Sequence, residues 1–191
     1  NLKNIKKINY KKKDNLDLVS VGVDWKRKGM DKSIKIAELL NSKGLKTNLT
    51  IVGATNSKVK SIFVKQTGFL NKNNYKDYLK LKRILLNSDF HLLMTKKEAC
   101  GVVFAEANSF GLFNVTNKVG GVDGMIKNNV NGKLFNVSAK PNRIADYIIK
   151  IFKNKSKFNN LKKLSKNYYS NKLSWDINSK ILQKILISIK N

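Results

Sequence analysis

Short β-branched or apolar runs alternate along the chain with segments whose apolar residues recur at helical spacing. That alternation predicts a parallel sheet covered on both faces. Leu16 to Gly22 reads as a first strand. Met30, Ile34, Ala37 and Leu40 then fall on one face of a helix over Gly29 to Lys43, stopped by Gly44. Strands follow at Asn48 to Val52 and Ser61 to Val64, the second leading into a Gly68-Phe69 turn. A helix over Tyr75 to Leu86 comes next, then a strand over Phe90 to Met94 and a short apolar helix over Gly101 to Phe110, closed by Gly111. Leu112 to Thr116 is a strand, Gly120 to Asn128 a short helix, and Asn131-Gly132 a turn into a last strand at Lys133 to Phe135. The tail reads as helix over 141–153, 157–170 and 176–190, with Ile177, Ile181, Ile185 and Ile189 at i+4 steps.

These elements predict one Rossmann-like α/β domain over residues 16–191: a six-stranded parallel sheet, helices on both faces, and a helical C-terminal tail. Sheets of this kind bind ligands beyond the carboxyl ends of their strands, where helix N-termini point. Gly22, Gly53, Gly101 and the Gly120-Gly121 pair all fall there, so the architecture suits a phosphate-bearing ligand.

Composition narrows the class. With 41% hydrophobic residues among 191, there is enough apolar material for one sizeable core. No apolar run is long enough for a membrane span, and the start does not read as a secretory signal. One cysteine excludes an internal disulfide framework, and with a single histidine it leaves too few soft ligands for an ordinary zinc site. The sum predicts a soluble, cytoplasmic protein, with peripheral attachment to the inner membrane surface as one use of its charge.

The charge is extreme. There are 39 Lys plus Arg against 12 Asp plus Glu, for a formal net charge of +27. Such a balance ordinarily points to nucleic acid, through phosphate contacts and counterion release. Yet only Arg27, Arg83 and Arg143 carry the guanidinium fork that phosphate and base recognition favour. The lysines run the whole length, with 26 Asn among them, as a drift toward Lys, Asn and Ile over exposed positions. Attraction to an anionic membrane surface or an anionic substrate is the third reading. Scarcity makes the acids informative: Glu occurs only at Glu38, Glu98 and Glu106, and the last two share one apolar stretch.

Three constellations carry chemistry. In the first, Val21 to Gly29 joins a buried strand to a helix; Gly22 allows close backbone approach to a ligand, and Lys28 sits where a cation meets a diphosphate at helix N-termini. No G-x-G-x-x-G or G-x4-G-K-[ST] is present, which argues against ordinary dinucleotide and P-loop sites. The second runs from Lys97 to Ala107. With a helix opening near Gly101, the free amides of Gly101, Val102 and Val103 face the loop that carries Glu98. Glu106 lies roughly 7–8 Å further along at 1.5 Å per residue. Two carboxylates flanking an amide cluster suit one ligand with a phosphate and two hydroxyl-bearing rings, held in one cleft. Cys100 beside Glu98 is a small packing residue at that site. The third is Gly120-Gly121-Val122-Asp123-Gly124, another backbone-amide surface. His91, inside a strand, reads as a buried residue rather than a general base.

In this order, the constellations resemble the C-terminal half of GT-B-fold retaining glycosyltransferases of family 4, the glycosyl transferases group 1. The matching segments are the Gly-x5-Lys-Gly turn at Gly22 to Gly29, Leu49 to Gly53, Glu98-x7-Glu106, Gly120-Gly121-Val122, Asn131 to Leu134 and Ser174-Trp175-Asp176. The resemblance implies binding of a nucleotide-activated sugar such as a UDP or GDP conjugate. Lys28 neutralises the diphosphate, Glu98 holds hydroxyls of the transferred sugar, and Glu106 holds the ribose. Backbone at Gly22, Cys100 to Val103, Gly120 and Gly121 completes the site. Transfer retains anomeric configuration, with the departing diphosphate met by cations and amides and no metal or other cofactor.

The sequence departs from that pattern at three places. Val23 stands where many members carry Arg, leaving Arg27 or another Lys as the substitute; Gly111-Leu112-Phe113 lacks the usual Pro; and Asp123-Gly124 replaces a frequent Pro-Glu. The resemblance also implies an N-terminal acceptor domain that is not in these 191 residues, with residues 1–15 as the interdomain connector and the helix after Trp175 packing back on that domain. The reading is therefore a hexosyltransferase-type donor domain, inactive without its other half. The alternatives are a basic nucleic-acid-binding α/β domain and a nucleotide-binding module without transferase activity.

Overall fold

The computed structural model describes residues 15–190. The lysine-rich connector expected over residues 1–15 lies outside them except for Asn15. Six parallel strands form one sheet in the order β3-β2-β1-β4-β5-β6. They are β1 (Leu16–Gly22), β2 (Thr47–Gly53), β3 (Val64–Gln66), β4 (Phe90–Leu93), β5 (Phe113–Asn117) and β6 (Gly132–Phe135). Strand order reverses direction between β1 and β4, which opens a crevice at the carboxyl ends of these two neighbours. Register is set by apolar pairs, Leu18 opposite Leu49 on one side and Phe90 on the other, and Phe90 opposite Phe113.

Successive residues of a strand face opposite sides of the sheet, and the core splits accordingly. Leu18, Leu49, Phe90 and Phe113 join Met30 and Ile36 of α1 (Met30–Ser42) and Ile144 and Ile148 of α5 (Pro141–Lys153) in the larger cluster. Val19 and Val52 belong to the other cluster, with Leu81 and Leu85 of α2 (Tyr75–Asn87) and Ala107 of α3 (Val102–Ser109). β4 is buried at every position because both faces are covered. α6 (Lys155–Tyr168) sends Phe158 onto Phe90, ring centroids 5.1 Å apart. A five-residue π-helical turn, Tyr169–Leu173, links it to α7 (Trp175–Lys190). Ile181, Leu182, Ile185 and Leu186 of α7 are exposed. Among the described residues no helix is long and apolar enough to cross a membrane.

Two elements differ from the sequence reading. The third strand is Val64–Gln66 rather than Ser61 to Val64. Ser61 is spent on a turn, its carbonyl accepting from the Val64 amide, and the paired register with β2 runs over Val64 to Gln66. As an edge strand it tolerates Lys65 and Gln66, which hid it from a search for apolar runs. The helix expected over Gly120 to Asn128 contracts to α4, Val122–Met125. The side chain of Asn131 takes over there, accepting from the Lys127 amide at 2.7 Å and donating to the Met125 carbonyl at 2.8 Å.

Several asparagines that composition assigned to surface drift are fully buried: Asn108, Asn114 and Asn131 have no exposure. They tie α3 to β5 and the loop before β6. Asn131 Nδ2 donates to Asn108 Oδ1 at 2.8 Å, and Asn114 Nδ2 donates to the Phe104 carbonyl at 3.1 Å. With its amide nitrogen so engaged, Asn114 presents Oδ1 to His91, whose Nδ1–H donates across 2.7 Å. Nε2 of His91 is then a bare lone pair, without a hydrogen-bond partner among the described residues. Asn117 donates to the carbonyls of Met94 at 3.1 Å and Thr95 at 2.9 Å, fixing the chain as it leaves β4.

Two measurements probe this interior. Phe90→Ala removes the ring shared by β4, β5 and α6 and should cost about 3–5 kcal/mol, seen as a lower urea midpoint at unchanged slope. Burial pushes His91 from 6.5 down to about 4, against the hydrogen bond to Asn114 that favours the proton; the Lys28 charge adds to the depression. The unfolded chain therefore binds the proton first. Stability is whole above pH ~6.5, falls by up to about 3 kcal/mol as pH drops toward 4, and levels below. His91→Gln should flatten that part of the stability profile, and a variant profile parallel to wild type would contradict the assignment.

Candidate functional site

The loop after β1 is wound tightly by its own backbone. The Lys28 amide donates to the Asp24 carbonyl at 2.9 Å, and Met30 to Trp25 at 3.2 Å. Asp24 also accepts from the Arg27 amide at 2.9 Å, which holds its carboxyl below the usual carboxylate range. Gly29 ends the turn at φ 66 as the residue capping α1. A Cβ there would lie 2.0 Å from the Met94 carbonyl oxygen, so only glycine lets this turn close onto the end of β4. The loop after β4 is bound to it in turn: Lys96 N–H donates to the Arg27 carbonyl at 2.8 Å, and Thr95 Oγ1 to the same carbonyl at 3.2 Å.

Those bonds deliver Lys28 to Glu98, 70 positions away, where Nζ donates to Oε2. The two side chains are only 10% and 11% exposed, so the pair is largely sheltered from solvent screening. The Lys28 stem lies over Gly22, whose missing Cβ would stand 2.7 Å from Cγ. Arg27 Nη1 comes within 3.8 Å of the same carboxylate oxygen, a cation for which the sequence offered only an open suggestion. Val23, where the family pattern carries Arg, is 62% exposed.

The glycine pair supports the Glu98 loop from below. A Cβ at Gly120 would sit 2.0 Å from the Glu98 carbonyl oxygen, and one at Gly121 2.0 Å from that of Ala99. The Gly121 amide donates to the Glu98 carbonyl at 3.3 Å, Val122 to Val119 and Gly124 to Gly121. This turn, expected as a second amide surface, thus spends those amides within the fold. α3 differs: Gly101, at φ 78, caps it with no side-chain hydrogen bond, and its first-turn amides at Val102 and Val103 have no carbonyl a turn earlier within the helix.

The two carboxylates line different hollows. Glu98 lines a hollow of about 390 Å³ with Arg27, Lys96, Lys97, Ala99 and Gly120. Glu106 lines another of about 480 Å³ with Cys100, Val102, Met125, Tyr169 and Trp175. The chain from Ala99 to Val102 runs between them. Each acid has its own ion pair: Glu98 turns to Lys28 of the β1 loop, whereas Glu106 Oε1 accepts from Lys72 of the β3–α2 loop. Tyr169 is raised above its ordinary value by burial, then by the charges of Asp176 and Glu106. Sequence reading missed Lys72, one lysine among many, and missed Tyr169; Trp175 was marked by its Ser-Trp-Asp setting. Among the described residues, no three of His, Cys, Asp and Glu gather where a metal ion could be held.

Comparison with known proteins gives this geometry its family. No curated protein matches the chain in sequence. The structure of WaaG, a glycosyltransferase involved in lipopolysaccharide biosynthesis, is similar at a TM-score of 0.74 and 21% identity, over 89% of this chain and 46% of WaaG. Anabaena Alr3699/HepE in complex with UDP-glucose is similar at 0.70 and 18% identity, over 90% of this chain and 49% of HepE. This chain therefore spans about half the length of those proteins. The C-terminal domain of the glycosyl transferase group 1 family protein LpcC from Francisella tularensis matches over most of both chains, 84% of this one and 87% of that one, at a TM-score of 0.68 and 15% identity. The Glycosyl transferases group 1 model matches residues 2–170, and the chain belongs to that family, as one Rossmann-like half of a GT-B fold.

Proposed function

We propose that this chain is the donor-binding half of a retaining glycosyltransferase and takes a nucleoside-diphosphate sugar. The observation that supports this best is the convergence of Lys28, Arg27 and Glu98 beside the open start of α3. The diphosphate lies along the Cys100 to Val103 backbone between the two hollows, on the first-turn amides of α3. The transferred sugar occupies the hollow of Glu98, and the ribose faces Glu106 in the other. The divided site thereby suits one ligand with a polyol at each end of an anionic bridge.

In this reading Lys28 has a double task. Its ammonium carries three donors, so it can keep Glu98 in place while meeting a phosphate oxygen. Arg27 adds a second cation, bidentate in geometry, in place of the one missing at Val23. As the glycosidic bond breaks, negative charge grows on the departing diphosphate, where fixed cations and amides stabilise it without reorganising. Transfer with retention also requires a surface that holds the acceptor. The half-length coverage of the neighbours and the exposed apolar residues of α7 support a second domain in that role. The 191 residues by themselves then bind donor and transfer nothing.

A thermal-shift panel of UDP, GDP and ADP with their glucose conjugates tests the reading, since a ligand of the native state raises Tm by mass action. One nucleotide series should raise Tm. Lys28→Met should weaken its nucleoside diphosphate about 10- to 100-fold, the range of a charge-assisted hydrogen bond worth about 1.5–3 kcal/mol. Glu98→Gln should remove the gain that the sugar adds over the bare diphosphate. No shift with any member at millimolar concentration would overturn the proposal.

A further inference from the structure

The two ion pairs that hold the site's carboxylates differ in shelter. Lys28 and Glu98 are about one-tenth exposed. Lys72 and Glu106 are 52% and 36% exposed, open to water and salt. Lys72 belongs to the loop between β3 and α2, which carries its own scaffold. Asn71 N–H donates to Asp77 Oδ2 at 3.0 Å, and Asn74 caps α2 by accepting from the amides of Lys76 and Asp77. The lysine is thus presented to Glu106 from a braced loop, with Tyr169 of the π-helical turn lining the same hollow.

We propose that Lys72 is a latch on Glu106, which competes with the ribose of the donor and sets the affinity for its nucleoside end. The inference rests on the donor-site reading above. A vicinal diol engages a carboxylate through both oxygens, whereas Lys72 already donates to Oε1. Ribose therefore binds only as the ammonium yields that oxygen. Exposed ion pairs are weak and screened by salt, so this latch tunes affinity rather than blocking the site. The sheltered Lys28–Glu98 pair stays closed through the same event. Donor binding thus releases the β3–α2 loop from α3 and leaves the β1 and β4 loops joined.

A neutral ligand isolates the effect, because it has no ionic contact of its own with the lysines. The probe is the free nucleoside, uridine or guanosine, titrated by NMR at about 20 mM and about 300 mM salt, where screening lengths fall from roughly 20 Å to under 10 Å. Wild type should bind about 1.5- to 5-fold more tightly at high salt, the span that exposed ion pairs allow. Lys72→Met should bind more tightly by the same factor already at low salt, with no salt response. Lys72→Arg should keep the response. Equal or weaker binding by Lys72→Met, or an unchanged salt response in that variant, overturns the latch. Glu106→Gln separates the levels: if it weakens nucleoside binding while Lys72→Met changes nothing, the ribose assignment stands and the latch falls. If Glu106→Gln binds as wild type does, or wild type binds neither nucleoside nor its diphosphate, both fall.

Discussion

The constraint on which the site depends is the closure of two loops onto each other at the point where strand order reverses. β1 and β4 are neighbours in the sheet, so the segments leaving their carboxyl ends emerge side by side. Gly29 lets the first loop close onto Met94, and the Arg27 carbonyl then receives donors from Thr95 and Lys96. With both backbones bonded to each other, Lys28 and Glu98 have little freedom left to lose when they pair. That preorganisation matters more than the charge of either residue, since a lysine on a chain of +27 is in no short supply.

Steric limits at glycine do the rest. At Gly120 and Gly121 a side chain would collide with the carbonyls of Glu98 and Ala99, so bare backbone is what lets the Glu98 loop lie against the β5–α4 turn. Buried amides of Asn108, Asn114, Asn117 and Asn131 fix the same region from beneath, each bonding backbone carbonyls. The site is therefore an arrangement of backbone first, with a small number of side chains placed on it. Such an arrangement tolerates wide sequence drift, which agrees with strong structural similarity at identities of 15–21%.

What the sequence made legible follows from this. Apolar periodicity located α1, α2 and α5, because each buries one face against a sheet whose strands are apolar on both sides. Lys28, Glu98 and Glu106 stood out through glycine context and through the rarity of glutamate. Partnerships were hidden. Nothing in one-dimensional spacing joins Lys72 to Glu106, and the surplus of lysine gave position 72 no distinction. The buried asparagines were masked by the surplus of asparagine on the surface, since composition cannot separate Asn117 inside from Asn171 outside. The acids, expected in a single cleft, line two hollows, and each is paired with a lysine from a different loop.

In the proposed donor complex an anionic bridge rests on the start of α3 between the hollows of Glu98 and Glu106. Backbone amide shifts, followed by NMR during titration with a nucleoside diphosphate, test it most directly. Gly101, Val102 and Val103 should move most, together with Lys28 and Arg27, and saturate with one shared Kd. Saturable binding that leaves those amides still and shifts residues elsewhere would contradict it.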